Sequence, residues 1–185
     1  MPGGHKRSLL VVGSVAFDSI ETPNGSVDDA LGGSATYFSF ASSFFLQPRL
    51  DGLLLNDSEA KLLTGDDNIV RAGRAVRRMG PKFVMLKKGE HGAMLFLGEE
   101  VFVMPAYPTE EVIDPTGAGD SFAGGILGFL ASEGGDGPSR LREAMAYGTV
   151  IASLTVEGFG LDRLKRADRG DVEARLAKYR AMLSF

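Results

Sequence analysis

The sequence predicts an α/β fold: a layered, mostly parallel sheet with helices on both faces and an antiparallel hairpin at one edge. Three observations predict it. Short apolar runs without polar alternation are typical of strands that are covered on both faces. These runs alternate along the chain with segments of helical periodicity, as they do in layered α/β proteins. Two further apolar runs, separated only by a short turn that contains glycine, indicate the hairpin. A length of 185 residues fits one domain with one core.

The first third of the chain begins with a predicted strand and a predicted helix. Residues 9–14 form a short β-branched run that predicts a buried strand, and a polar loop through residues 23–25 follows it. Residues 34–45 are apolar almost all round, so a helix there is expected to be buried. Residues 51–56 predict another central strand.

A short helix is predicted over residues 58–63, and Asn56 or Asp57 is its N-cap. The glycine at position 65 is expected to follow its end. A second helix is predicted over residues 69–79, with Met79 on its apolar side and its arginines in solvent.

The next segments predict the edge of the sheet. Residues 83–86 form a strand, and residues 93–97 and 101–104 form a hairpin that residues 98–100 join. Three helices are then predicted at the following positions: 120–130, 140–156 and 171–183.

Composition excludes several classes of function. Hydrophobic residues make up 44% and charged residues 24%, which is typical of a globular protein in water. The net charge is −4 and the basic residues are interleaved with acids, so a nucleic-acid partner is not expected. No run approaches the roughly 20 apolar residues of a membrane span, so no membrane partner is expected either. The chain has no cysteine, which favours a cytoplasmic location.

The strongest motif is Asp-Pro-Thr-Gly-Ala-Gly-Asp at residues 114–120. A glycine loop that leads into a helix leaves backbone N–H groups unpaired at the positive end of the helix dipole, where anions bind. Asp120 at that position could accept a proton from a hydroxyl that attacks a phosphate. From the residues alone, an N-cap role for Asp120 and a tight turn for the glycines are equally good interpretations.

The motif resembles the C-terminal signature of the ribokinase-like (PfkB-type) family of ATP-dependent sugar and nucleoside kinases. The resemblance implies that Asp120 is the catalytic base and that Gly117, Ala118 and Gly119 form the anion hole. It also implies a ribokinase-like fold, ATP and Mg²⁺ as cofactors, and transfer of a phosphoryl group to a hydroxyl of a sugar or nucleoside-like alcohol.

Further pieces occur in the order of the family. Asn56 and Glu59 resemble its Asn-x-x-Glu element, which would act on Mg²⁺ through water, although taken by themselves they are better explained by a capped surface helix. The implied cofactor-binding residues are Asn56, Glu59, Lys88, Gly89, Gly92, Thr116, Gly158 and Gly160. The implied substrate-binding residues are Asp18, Gly32, Gly33 and Tyr37. By itself, the Gly89–Gly92 segment is also typical of a hairpin turn.

The sequence departs from the family pattern in its middle. The chain passes at residues 44–50 from the first predicted helix directly to the strand before Asn56, where family members carry further strands and a lid. We therefore expect a single shortened domain over residues 1–185 with a deletion junction near 44–50. Tyr37 stands where many sugar-binding members have asparagine. A kinase-like scaffold that binds nucleotide or phosphate without catalysis is the alternative, and uncovered apolar faces favour a homo-oligomer.

Overall fold

The computed structural model describes residues 16–32, Tyr37, Ala41 and residues 51–184. The chain divides into two compact units, Met1–Leu50 and Asp51–Phe185. The boundary lies at the end of segment 44–50, where the sequence predicts a deletion junction. The expected single domain stays a prediction.

The first unit contains an antiparallel hairpin of strands β1 (Ala16–Thr22) and β2 (Gly25–Gly32). Pro23 and Asn24 form its turn. The sequence predicted only a polar loop here, which is wrong. Both strands carry so many polar residues that no apolar alternation reveals them. The strand predicted at 9–14 and most of the helix predicted at 34–45 lie outside the described residues, although Tyr37 and Ala41 are helical.

The second unit is built on a four-stranded sheet in the order β3-β4-β5-β6. Its strands are β3 (Gly52–Asn56), β4 (Phe83–Lys87), β5 (Ala93–Leu97) and β6 (Glu100–Met104). The β3–β4 pair is parallel, and the other two pairs are antiparallel, so this sheet is mixed. The edge hairpin is confirmed. Glu100 pairs with Leu97, so its turn has two residues instead of the three predicted.

One face of this sheet is covered by helices α1 (Asp57–Thr64) and α2 (Ile69–Arg78). A cluster of buried residues holds them to the strands: Leu55, Ala60, Ala72, Val76, Val84, Leu86, Met94 and Phe96. Met79 was predicted on the apolar side of α2, which is wrong. Met79 follows the last helical residue, and 59% of its surface is exposed.

The opposite face is covered by α3 (Ala118–Glu133), α4 (Pro138–Thr155) and α6 (Arg169–Leu183), and a short helix α5 (Asp162–Arg166) precedes α6. The sequence did not predict α5. Tyr179 of α6 is buried here and donates a hydrogen bond to the carbonyl of Pro105. Burial raises the pKa of Tyr179 to about 12.

Glycines allow α3 and α4 to lie close together. A Cβ atom at Gly148 of α4 would lie 2.7 Å from the backbone oxygen of Phe122 of α3. A Cβ atom at Gly125 would lie 3.0 Å from the Cα atom of Gly148. Larger side chains at these two positions would force the helices apart. Among residues 16–32 and 51–184, no helix is both long and apolar enough to cross a membrane.

Candidate active site

The start of α3 leaves several backbone donors open. Gly117 adopts the left-handed conformation with φ of 79° and is the N-cap, so no side chain caps the helix. The N–H group of Ala118 donates to the carbonyl of Pro115 at 3.2 Å. Within the described part of the chain, the N–H groups of Gly117, Gly119 and Asp120 find no acceptor. They lie at the positive end of the helix dipole, where an anion would be stabilised.

Asp120 lies in the first turn of the same helix, and its side chain is exposed. The helix was predicted to begin at residue 120 but begins at Ala118, because the left-handed Gly117 provides its start. The N-cap interpretation of Asp120 is therefore wrong. The carboxylate of Asp120 and the open N–H groups share one helical turn. A group that can accept a proton therefore lies beside hydrogen-bond donors that can bind a phosphate.

Asp114 connects the loop before α3 with the loop after α4. Its carboxylate accepts hydrogen bonds from the N–H group of Thr116 at 2.9 Å and from that of Gly160 at 3.4 Å. These hydrogen bonds lower the pKa of Asp114. The bond from Thr116 has the larger effect, and the bond from Gly160 has a smaller one. The N–H group of Ile113 donates to Val156 at 2.7 Å and reinforces the link. Two of the predicted cofactor-binding residues, Thr116 and Gly160, are thus brought together.

Gly158 lies in the same loop after α4. A Cβ atom there would lie 3.1 Å from the Cβ atom of Arg163 in α5. Close packing of this loop against α5 is therefore sufficient to explain the glycine.

Lys87 reaches the start of α3, which the sequence analysis did not predict. A Cβ atom at Gly119 would lie 3.0 Å from the Nζ atom of Lys87. Lys87 is the last residue of β4 and lies opposite Asn56 of β3 in the parallel register. Because successive residues of a strand point to opposite faces, Lys87 shares a face with Met85, which packs on the face that α3 covers. That alternation was the available signal, but β4 was predicted to end at residue 86.

Asn56 and Glu59 form a complete capping box at the start of α1. The side chain of Asn56 accepts the N–H group of Glu59 at 2.8 Å, and Glu59 accepts the N–H group of Asn56 at 2.6 Å. The capped helix that the sequence offered as the alternative interpretation of Asn56 and Glu59 is therefore present. The capping bond engages one carboxylate oxygen of Glu59, and its other oxygen has no partner in residues 51–184.

The turn after β4 holds Lys88, Gly89 and Gly92. Gly89–His91 form one turn of 3₁₀-helix, and the N–H group of Lys88 donates to the carbonyl of Gly92 at 2.7 Å. A Cβ atom at Gly92 would lie 2.1 Å from the carbonyl oxygen of Met104, so the fold itself requires this glycine. The turn follows Lys87 directly and therefore lies at the same edge of the sheet.

The predicted substrate-binding residues belong to the first unit. Asp18 lies in β1, and Gly32 is the last residue of β2. Tyr37 is helical and 64% exposed. Gly33 lies outside the described residues.

The second unit is thus an α/β layer whose parallel strands end beside an uncapped helix start, which is the position where open α/β sheets bind ligands. Residues 45–166 match the family of pfkB carbohydrate kinases. This match covers more than half of the chain, and the chain belongs to this family. Its fold is ribokinase-like, as the sequence predicted, and the family consists of sugar and nucleoside kinases.

Individual relatives agree with this assignment. The chain is 38% identical over 81 residues to the cytidine kinase of Thermococcus kodakarensis. The aligned segment covers 43% of this chain and 29% of the cytidine kinase. Aminoimidazole riboside kinase from Salmonella enterica, solved with aminoimidazole riboside and an ATP analogue, superposes with a TM-score of 0.62 and 27% identity over 68% of this chain and 42% of that one. Arabidopsis thaliana ribokinase, solved with ribose and ATP, superposes with a TM-score of 0.58 and is 30% identical in sequence. The superposition covers 68% of this chain and 40% of the ribokinase.

These matches span less than half of the relatives. A cytidine kinase, a fructokinase and a bifunctional ribokinase/ribose-5-phosphate isomerase are matched over 29%, 27% and 19% of their own lengths. The sequence comparison thus agrees with the shortened form that the junction at 44–50 indicates.

Proposed function

We propose that this protein is an ATP-dependent phosphotransferase that acts on a hydroxyl of a sugar or nucleoside-like alcohol. The observation that carries the proposal is the start of α3, where open N–H groups and the exposed carboxylate of Asp120 share one helical turn. Family membership supports the same reaction, because the relatives are sugar and nucleoside kinases.

In the proposed reaction, the N–H groups of Gly117 and Gly119 hold the phosphoryl group and stabilise the charge that develops on it. Asp120 accepts the proton of the attacking hydroxyl. The hydroxyl oxygen bonds to phosphorus as the bond to the leaving oxygen of ADP breaks. Ala118 contributes through its place in the turn, since its own N–H group is bonded to Pro115.

Mg²⁺ would neutralise charge on the phosphates when it is bound with ATP. No group of three metal-ligating side chains occurs in the described ranges, so protein side chains alone do not form a cage. One oxygen of Glu59 remains for a water-mediated contact, which fits the preference of Mg²⁺ for water and phosphate ligands.

The acceptor would be a small alcohol. The relatives named above are kinases of cytidine, ribose and aminoimidazole riboside, which supports a ribose-like substrate. Asp18, Gly32, Gly33 and Tyr37 are the residues that the family resemblance assigns to the substrate. A cytoplasmic location and a homo-oligomer remain expectations from the sequence.

The proposal is tested with Asp120→Asn, which keeps the size of the side chain and removes the base. Phosphorylation of ribose, fructose, cytidine and aminoimidazole riboside would be followed by ADP release, and ATP binding by isothermal titration with MgCl₂. We expect turnover to fall by roughly 10²–10⁴-fold while ATP binding is retained. Asp67→Asn, at an exposed position between α1 and α2, is the matched control and should retain full turnover. Undiminished turnover by Asp120→Asn would remove Asp120 from the mechanism.

A second candidate is a nucleotide-binding protein without catalysis. The short share of each relative that the chain matches, 29% of the cytidine kinase for example, favours it. Under this alternative, the wild-type chain binds ATP in the titration but phosphorylates none of the four acceptors. Turnover of any acceptor that depends on Asp120 excludes it.

A further inference from the structure

The C-terminal helix α6 contacts both the loop before α3 and the loop after α4. The hydroxyl of Tyr179 donates a hydrogen bond to the carbonyl of Pro105, in the loop before α3. One turn earlier on the same face of α6, the Cζ atom of Arg175 lies 5.1 Å from the ring centroid of Tyr107, in the same loop. The guanidinium group also donates two hydrogen bonds to the carboxylate of Glu157, at 2.7 and 2.9 Å, in the loop after α4. Arg175 therefore bridges the two loops.

The contact between Arg175 and Glu157 has the geometry of a strong ion pair. Two N–H groups meet two carboxylate oxygens, which fixes the relative orientation of the two planar groups. The side chains are 17% and 24% exposed, so water screens this pair less than a pair on the open surface. Arg163 of α5 is the second cation near Glu157, and it lies farther away, at 3.6 Å. Arg175 is thus the main anchor of Glu157.

Glu157 lies in the segment that is bonded to Asp114. The carbonyl of the preceding residue, Val156, accepts the N–H group of Ile113 at 2.7 Å and that of Asp114 at 3.3 Å. Three residues after Glu157, the N–H group of Gly160 donates to the carboxylate of Asp114 at 3.4 Å. Glu157 therefore lies between the two points at which this loop is attached to the loop before α3.

A second ion pair between α6 and α4 shows what is particular to Arg175. Arg180 donates to the carboxylate of Glu143 at 2.9 Å, and Arg140 is the second cation near that carboxylate, at 3.2 Å. Glu143 belongs to α4, so helical hydrogen bonds hold its backbone. Glu157 follows the end of α4, so its position depends more on contacts from outside the helix. The loss of Arg180 would weaken a contact between two helices, whereas the loss of Arg175 would release a loop.

We infer that Arg175 is a positioning residue of the candidate active site, which acts through Glu157 to keep the loop after α4 attached to Asp114. Asp114 in turn accepts the N–H group of Thr116 at 2.9 Å, directly before Gly117, so the attachment extends to the open start of α3. The inference rests on the proposed function, because it concerns the same helix start. It adds a residue from α6, a helix that contributes nothing to the motif itself.

Hydrogen exchange of single amides, followed by NMR, measures whether the two loops stay attached. The amides of Ile113 and Gly160 exchange when their hydrogen bonds to the other loop open. Arg175→Met removes the guanidinium group and keeps a long side chain. It should speed the exchange of both amides by about tenfold or more, because hydrogen bonds between charged groups are stronger than neutral ones. Arg175→Lys keeps the charge without the paired donors and should restore only part of the protection.

Isothermal titration with ATP and MgCl₂ connects the loops with the site. Arg175→Met should weaken ATP binding by about threefold or more, because only molecules with the loop attached bind at full strength. Arg180→Met is the matched control, since it removes an arginine of the same helix and an ion pair to α4. It should leave amide exchange and ATP binding at the wild-type values. If Arg175→Met does not fold, Glu157→Gln takes its place, because it weakens the same ion pair from the other side.

The outcomes separate the two proposals. If Arg175→Met leaves the two amides at the wild-type rate, or if Arg180→Met speeds them equally, the inference is wrong and the proposed function stands. The inference is also wrong if the amides respond only to Arg175→Met but ATP binding does not change. If the wild type binds ATP in an Arg175-dependent way but phosphorylates no acceptor, the inference stands and catalysis does not. A wild type that binds no ATP overturns both.

Discussion

Two helices begin at the same edge of the sheet, and their starts differ. At α1, Asn56 and Glu59 satisfy each other's backbone N–H groups in a reciprocal capping box. At α3, Gly117 offers no side chain, and three N–H groups have no acceptor in the part of the chain that the structure describes. The first start is closed by its own residues, whereas the second is open to a ligand.

The difference shows where this fold lacks the stabilisation that a side-chain cap gives to a helix start. A side-chain cap contributes about 1 kcal/mol to a helix, so omitting one at α3 has a cost that packing must offset. That packing is supplied behind the helix, where Gly125 and Gly148 let α3 and α4 lie in close contact. An open helix start is thus held in place by the opposite side of the same helix.

The largest effect is expected when that support is removed. Gly148→Val places a side chain against the backbone oxygen of Phe122, which lies 2.7 Å from the nearest added atom, so the helices must separate. Overpacking of this kind costs about 1–3 kcal/mol, and urea unfolding would measure it. ATP binding should fall as well, because α3 moves.

Gly128→Ala on α3 is the control for that experiment. A Cβ atom at Gly128 meets nothing within 4 Å, so alanine should leave stability unchanged or raise it through its higher helix propensity. An equal loss in the two variants would show that the close contact between α3 and α4 is not what holds the open start.

An intermediate effect is expected at the closed start. Asn56→Ala removes the N-cap of α1 and should lower the free energy of unfolding by about 1 kcal/mol. Because the two bonds of the capping box are reciprocal, the double variant Asn56→Ala/Glu59→Ala should lose less free energy of unfolding than the two single variants lose in sum. Strictly additive losses in urea unfolding would mean that the box does not act as a unit.

The smallest effect concerns the loop that leads to the open start. The pKa of Asp114 is lower in the folded protein than in the unfolded chain, because its carboxylate accepts the N–H groups of Thr116 and Gly160. Its contribution to stability is therefore full above the unfolded pKa of about 3.9 and is lost as the pH falls through the lower folded value.

Asp114→Asn should remove this contribution to the pH dependence. Melting temperatures of the wild type and the variant between pH 2 and 6 would converge at the acid end and reach their full separation above about pH 4. A constant difference over the whole range would show that the charge of Asp114 does not stabilise the loop.

Sequence patterns predicted those parts of the fold that depend on local periodicity. The strands at residues 51–56 and 83–86, the edge hairpin and the helices over them follow from apolar spacing, and they are present with shifts of a few residues. The motif at 114–120 indicated the helix start with open donors, although α3 begins two residues earlier because Gly117 is left-handed. The catalytic and binding roles carried over from the family remain predictions.

Features that depend on contacts between distant segments were not predictable. Lys87 lies beside Gly119 only because β4 and α3 pack together. Strand alternation gives the face of the sheet on which Lys87 lies, but no local pattern identifies Gly119 as its neighbour. The β1–β2 hairpin carries little apolar alternation, and its polar strands read as a loop. Met79 had the correct helical spacing but follows the last turn of α2, and 59% of its surface is exposed.

The parallel register of β3 and β4 has one more consequence. It brings Asn56 and Lys87 opposite each other, and α3 adds the third part of the candidate active site from far along the chain. No short fragment of the protein contains all three, so a bound polyphosphate would stabilise only molecules in which the strands have already paired. Protection of the chain against proteolysis by ATP would therefore report the completion of folding in the second unit.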